Sequence, residues 1–175
     1  MRIRVIFGRL LYELIGKHLP ASTSFFKIGQ KSFRRMCGKL ILKKCGKKVN
    51  IEKGAIFSSS CELGDYSGIG INAYVSGAII GNHVMMGPNC CIYSFNHRHD
   101  RIDIPMDSQG AEEEKVVIIG DDVWIGSNVV ILPGVKIGKG SIIGAGTIVT
   151  KDVPEYSVFC GNPGRVVKSR NANNN

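Results

Sequence analysis

The chain has 175 residues, 22 glycines, few aromatics and a net charge of +9. That is enough length for one domain with a real core, and the Gly-rich, aromatic-poor mixture points to a repeat fold with tight turns rather than a layered globule. No apolar run approaches the roughly 20 residues of a membrane span. Arg9 and Glu13 interrupt the first apolar stretch, which argues against a secretory leader and for the cytoplasm.

Residues 1–44 are expected to form a basic, amphipathic helical arm. Ile3, Phe7, Leu10 and Leu14, with Leu11 and Ile15, give one helical stripe. Phe26, Phe33, Met36, Cys37 and Leu40 give a second, with Ser22 or Ser24 as the expected N-cap, and Pro20 separates the two. Residues 1–48 carry 13 Lys and Arg against one acid, Glu13; the remainder is slightly acidic. Two readings stay open. The stripes pack on the rest of the fold while the charge is solvated, or they meet an anionic membrane surface. Nothing beyond charge points to nucleic acid, and none is expected as a partner.

From Cys45 the chain falls into sixes: CGKKVN, IEKGAI, FSSSCE, LGDYSG, IGINAY, a short VSGAI, then IGNHVM, MGPNCC and IYSFNH. The beat resumes as IGDDVW, IGSNVV, ILPGVK, IGKGSI, IGAGTI and VTKDVP. The first position is aliphatic or Phe in nearly every hexad, and the fifth is small or β-branched. A period of six is neither helical nor a plain alternation. It is the signature of a β-helix in which three hexads close one triangular coil, so residues 45–154 should form about five coils. The six cysteines lack CxxC spacing, and Cys61 and Cys90 fall at small-residue positions, so neither a disulfide framework nor a metal site is expected.

Residues 93–116 break the beat with a polar loop holding His97 and His99. A loop this long inside a compact repeat is usually functional. An imidazole that takes a proton near neutral pH suits a general base acting on a hydroxyl or amine. Residues 155–170 lose the phase and are expected to fold back along the prism, and 171–175 read as a disordered tail.

The stretches "NHRHDRIDIPMDSQG", "VIIGDDVWIGSNVVILPGVKIGKGSIIGAGTIVTKDVP" and "GNPGRVV" resemble the hexapeptide-repeat, left-handed β-helix acetyltransferases. The nearest branch is that of galactoside, maltose and polysaccharide-decorating O-acetyltransferases. The resemblance covers roughly residues 45–170 and implies a homotrimer with acetyl-CoA in grooves between prisms. It implies His97 as the general base for a sugar hydroxyl that attacks the thioester directly, and the Ser127 backbone N–H as donor to the oxyanion. It assigns Trp124, Ser127, Ala145, Thr150, Lys151, Arg165 and Lys168 to acetyl-CoA, and Asn72, His99 and Met106 to the acceptor, with no metal. Departures from the family pattern are Arg98 after the histidine, Thr150 in place of Gly and Lys168 where Arg is usual; the group that orients His97 is undetermined.

Alternatives remain open at this level. They are a chloramphenicol-type xenobiotic acetyltransferase, a γ-type carbonic anhydrase with zinc on His83, His97 and His99, and a non-catalytic solenoid scaffold. The expected site of action is the cytoplasm, with the arm allowing peripheral membrane contact.

Overall fold

The computed structural model describes residues 2–173. The arm is helix α1 (Arg2–Leu11), a π-helical turn (Tyr12–Gly16) and helix α2 (Gln30–Ile41). Three short strands then make each coil of a parallel β-helix. The first coil is β1 (Lys44–Cys45), β2 (Asn50–Ile51) and β3 (Ile56–Phe57). The second is β4 (Glu62–Leu63), β5 (Gly68–Ile69) and β6 (Tyr74–Val75), and the third β7 (Ala78–Ile80), β8 (Met85–Met86) and β9 (Cys91–Ile92). After the loop come β10 (Val117–Ile119), β11 (Trp124–Ile125) and β12 (Val130–Ile131), then β13 (Lys136–Ile137), β14 (Ile142–Ile143) and β15 (Ile148–Val149).

Strands three apart in sequence stack in parallel, so the prism has three faces. The first is β1-β4-β7-β10-β13 and the third β3-β6-β9-β12-β15. The second runs from β2 and β5 to β8, β11 and β14. In the two-residue strands the sixth residue of one hexad points out and the first of the next points in: Trp124 is exposed and Ile125 buried. The first-position side chains Ile51, Leu63, Ile69, Ile92, Ile119, Ile125 and Ile131 and the fifth-position Val49, Ala55, Cys61, Val84, Cys90, Val123 and Val129 line one continuous core. Full burial of one such aliphatic side chain is worth about 1.5–3 kcal/mol.

The fourth hexad position adopts a left-handed backbone: Lys48, Tyr66, His83 and Asp122 at the corner between the first and second faces, and Asn72, Asn89 and Asn128 at the corner between the second and third. Asn is among the residues best suited to that conformation, and the three asparagines form a ladder along their corner.

The end of the prism differs from the expected fold-back. Val153 still bridges Ile137 on the first face, and β16 (Ser157–Gly161) stays in the second face, parallel to β14. Phe159 is fully buried and keeps this segment in the core. Only after it does the chain reverse, into the antiparallel β17 (Gly164–Ser169). Residues 170–173 form a 3₁₀ turn, and the last two residues of the expected tail lie outside the described residues.

The arm closes the first coil, but not with the stripe that its sequence offers. Tyr12 is buried, edge-on to Phe57 at 5.1 Å, and its hydroxyl donates to the Ala55 carbonyl at 2.8 Å. Gly8 lets α1 lie against α2, because a Cβ there would stand 2.5 Å from Leu40 Cβ. Ile3, Phe7, Leu10, Leu14 and Ile15 face solvent instead. In the second stripe Cys37 is buried and Phe33 and Leu40 partly so, while Phe26, outside the helix, and Met36 are exposed. The expected serine cap is also not formed: α2 begins after Gly29 (φ 83°) without a side-chain cap.

Ser22 serves a buried ion pair. Arg34, fully buried, donates from Nε to the Ile51 carbonyl at 2.6 Å, from Nη1 to Pro20 O at 2.9 Å and from Nη2 to Ser22 Oγ at 3.1 Å. It also lies 3.5 Å from Glu52. Burial works against the Glu52 charge, but hydrogen bonds from Ser22 N–H and Asn50 Nδ2 together with the Arg34 charge outweigh it and hold the carboxyl below its ordinary range.

Arg34→Ala should therefore destabilise the chain by about 3–5 kcal/mol in denaturant unfolding, since it strands a carboxylate and several carbonyls. A depressed folded pKa gives stability that is present above the unfolded value and is lost as pH falls through the folded one. The wild-type Tm should thus drop on acidification below the carboxylate range more steeply than that of Glu52→Gln.

Candidate functional site

The loop leaves the prism at the corner between the third and first faces, after β9, and rejoins it at β10. Its root is built by three side chains. Ser76 Oγ and Ser94 Oγ are 3.2 Å apart, Ser94 N–H donates to Ser76 Oγ at 3.0 Å, and Ser94 Oγ donates to Glu114 Oε1 at 3.0 Å. Gly77, in the short hexad one coil below, makes the space. Its φ is 73°, and a Cβ there would lie 2.2 Å from Glu114 Oε1 and 2.6 Å from Ser94 Oγ. One coil above, Gly134 N–H donates to the Lys115 carbonyl at 2.8 Å. The missing residue of VSGAI thus lies at the corner where the loop is seated.

Beyond the root the loop pairs with itself. Glu112 N–H donates to Asn96 O at 2.8 Å, Arg98 N–H to Gly110 O at 3.0 Å, and His97 bridges Ala111. At the tip Gln109 Nε2 donates to Arg101 O at 2.8 Å and Ile104 O at 3.1 Å, while its Oε1 accepts from Arg101 N–H at 3.1 Å. Arg101 also pairs with Asp103, and this hydrogen bond holds the exposed Asp103 below the usual carboxylate range. The loop is a stapled hairpin that presents His97 at its base.

The His97 imidazole is exposed and has no hydrogen-bond partner among the described residues. His99 Nδ1 lies 3.2 Å from the His97 carbonyl. Met106 opens a short 3₁₀ turn in the loop and is exposed. His83 is elsewhere, stacked on Tyr66 with centroids 4.8 Å apart at the first corner, and therefore does not join the loop histidines.

The other candidates divide between two corners. Ser127 and Ala145 stand one coil apart at the corner between the second and third faces, where Gly146 N–H donates to the Ser127 carbonyl at 2.8 Å. The N–H groups of Ser127 and Ala145 have no partner among the described residues, so two donors are stacked at an open edge. Trp124 lies on the adjoining second face, 52 % exposed, between Met85 and Ile142. Arg165 and Lys168 are exposed on β17 at the far end of that face. Asn72 shares the Ser127 corner through the asparagine ladder. Thr150 and Lys151 are exposed at the other corner, above the loop. Within one chain, the third face separates the loop corner from the Ser127 corner.

Two features escaped sequence reasoning. The Ser76–Ser94–Glu114 root shows only as a hexad one residue short, a signal that could have located the seat but not its contacts. The Gln109 tether has no sequence signature.

Residues 117–151 match the family described as bacterial transferase hexapeptide (six repeats). A galactoside O-acetyltransferase of Lactococcus lactis subsp. lactis (strain IL1403) is 45% identical over 92 residues, 53% of this chain and 43% of that protein. The chain spans about half the length of the curated relatives it matches. Among solved structures, a maltose O-acetyltransferase from Clostridium difficile 630 is 30% identical with a TM-score of 0.75, over 95% of this chain and 86% of that one. A galactoside acetyltransferase in complex with coenzyme A is 28% identical with the same TM-score of 0.75, over 97% and 82%.

Gly77→Ala tests the loop seat. A side chain with left-handed backbone that also strikes Glu114 and Ser94 should cost about 1–3 kcal/mol. Amide hydrogen exchange in residues 94–116 should rise while that of the flanking coils changes less.

Proposed function

The chain belongs to the hexapeptide-repeat acetyltransferase family, and we propose that it transfers acetyl from acetyl-CoA to a hydroxyl of a sugar, on an oligosaccharide or polysaccharide precursor. The observation that carries this reading is the pair of unpartnered N–H donors at Ser127 and Ala145 beside an exposed Trp124. They form an edge suited to an extended, amide-bearing arm and to a developing oxyanion. The structures similar to this chain include a galactoside acetyltransferase in complex with coenzyme A. In this reading the reaction takes place in the cytoplasm, where its acetyl-CoA co-substrate is available.

In this reading His97 takes the proton of the acceptor hydroxyl as its oxygen attacks the thioester carbonyl. The tetrahedral oxyanion accepts from Ser127 N–H. Collapse expels the coenzyme A thiolate, and the imidazolium returns the proton to sulfur. Ala145 N–H bonds the pantetheine arm, Trp124 covers it, and Thr150, Lys151, Arg165 and Lys168 serve its phosphate end, where cations form charge-assisted bonds. Asn72, His99 and Met106 are assigned to the acceptor side.

The working unit is a homotrimer. His97 and Ser127 belong to different corners of one rigid prism, so a neighbour's corner brings the two together most directly. Closed symmetry then gives every site one loop and one donor edge.

Thiol release and product mass with galactosides, maltose, polysaccharide-derived oligosaccharides and chloramphenicol test the activity. His97→Ala should lower turnover by about 10²–10⁴-fold; unchanged turnover would remove His97 from the mechanism. Ser127→Pro deletes the N–H at a hexad position where Pro88 and Pro133 already stand, so the backbone there tolerates it. It should also be inactive. Refolding His97→Ala and Ser127→Pro chains together should restore part of the activity if sites are shared between copies, and none if each chain carries its own.

A further inference from the structure

We propose that the solvent-facing side of α1 and its π-helical extension is a docking surface for an anionic phospholipid bilayer. This inference concerns the arm alone and does not depend on the acetyl-transfer reading. Ile3 is 84 % exposed, Leu14 74 % and Phe7 56 %, and Ile6, Leu10 and Ile15 are exposed with them. On a helix these positions make one stripe, opposite the row of Gly8 and Tyr12 that packs on α2 and the first coil. An apolar stripe left in water along 15 residues, about 22 Å, calls for a partner.

The stripe is held in place rather than left loose. Arg4 and Arg9 flank it, and their guanidinium groups turn back to the prism: Arg4 Nη2 donates to Leu42 O at 3.4 Å and Arg9 Nη2 to Phe57 O at 2.8 Å. Arg9 also sits over the Phe57 ring at 5.3 Å. The helix is thus clamped with its apolar side outward, and little ordering is left for a surface to impose.

Charge selects the occupant. The first 48 residues carry 13 cations and one acid, and that acid, Glu13, is already engaged by Arg9 and Lys17. Lys27, Lys31 and Lys39 are exposed in the same arm, which also exposes Phe25, Phe26 and Ile28. A second copy placed face to face would bring two strongly positive arms together. An anionic bilayer neutralises the charge and takes the apolar stripe into its headgroup boundary, as in a helix lying in the interface plane. No described helix is long and apolar enough to cross a membrane, so the contact is lateral.

The test is sedimentation of the full chain with vesicles of phosphatidylcholine alone or mixed with phosphatidylglycerol, at low and high salt. Wild type should sediment with the anionic vesicles, much less with the neutral ones, and less at high salt. The double variant Phe7→Glu, Leu10→Glu alters only exposed positions, so its thermal melt should match wild type. Its binding should fall at least about tenfold. Lack of wild-type sedimentation, or equal sedimentation of the double variant, would overturn the proposal. So would a change in solution mass of the double variant in a protein that ignores vesicles, which would make the stripe a contact between copies.

Discussion

Everything in this molecule hangs on the register between coils. Between stacked strands the backbone N–H groups find their acceptors one coil away, as Met85 N–H does at Val123 and Trp124 N–H at Ser141. That bonding holds only while successive coils repeat closely in length. The aliphatic side chain inside and the left-handed residue at the corner are two expressions of the same constraint. One fills the narrow axis of the prism, and the other bends the chain by the angle that brings the next face round. A segment that does not fit the repeat must therefore leave at a corner and return to it. The loop of residues 93–116 does so, and its seat is prepared by a hexad with one residue fewer.

The two ends of the prism are closed by different physics. At the C-terminal end the backbone ladder runs on into β16 and is finished by an antiparallel partner, so the last parallel strand is paired on its outer side. At the N-terminal end no strand precedes the first coil. There the carbonyl of Ile51 is met by a buried guanidinium and that of Ala55 by a tyrosine hydroxyl. Arg34 and Tyr12 thus satisfy part of the exposed ladder that a further coil would otherwise have paired.

The solenoid was legible in the sequence because every hexad repeats the same demand, and fifteen repetitions of Ile51-type and Val49-type positions make the period plain. The arm was not, because helical periodicity identifies an apolar face without saying which side is buried. Gly8 and Tyr12 decide the matter: a glycine allows close helix contact, and a tyrosine at the turn can both fill the cap and donate to it. The apolar stripe of Ile3, Phe7 and Leu10, which its sequence leaves free to pack inward or to face a membrane, is the outer one. Arg34 was hidden for a similar reason, since a lone cation in a basic segment carries no mark of burial until Glu52 and the carbonyl groups around it are in place. At the candidate site the sequence named the residues but did not divide them between corners, because the corner a hexad reaches is set only once hexads are counted in threes across the loop.

That division has a consequence for how such a site is assembled. A triangular prism built of two-residue strands has little freedom to bend one corner toward another, since doing so would break the hydrogen bonds of the face between them. The loop of one chain is stiffened at its root by Ser76, Ser94 and Glu114 and at its tip by Gln109. It can hold His97 at a fixed place in space but has little slack to wrap a whole face. If His97 and the Ser127 N–H act on the same reacting atoms, the economical arrangement sets the loop corner of one prism against the donor edge of the next. Rigidity then works in favour of catalysis, because positions fixed by two ladders and a stapled hairpin need little reorganisation once the prisms are docked. The same rigidity holds α1 across the open end of the first coil with its apolar side outward.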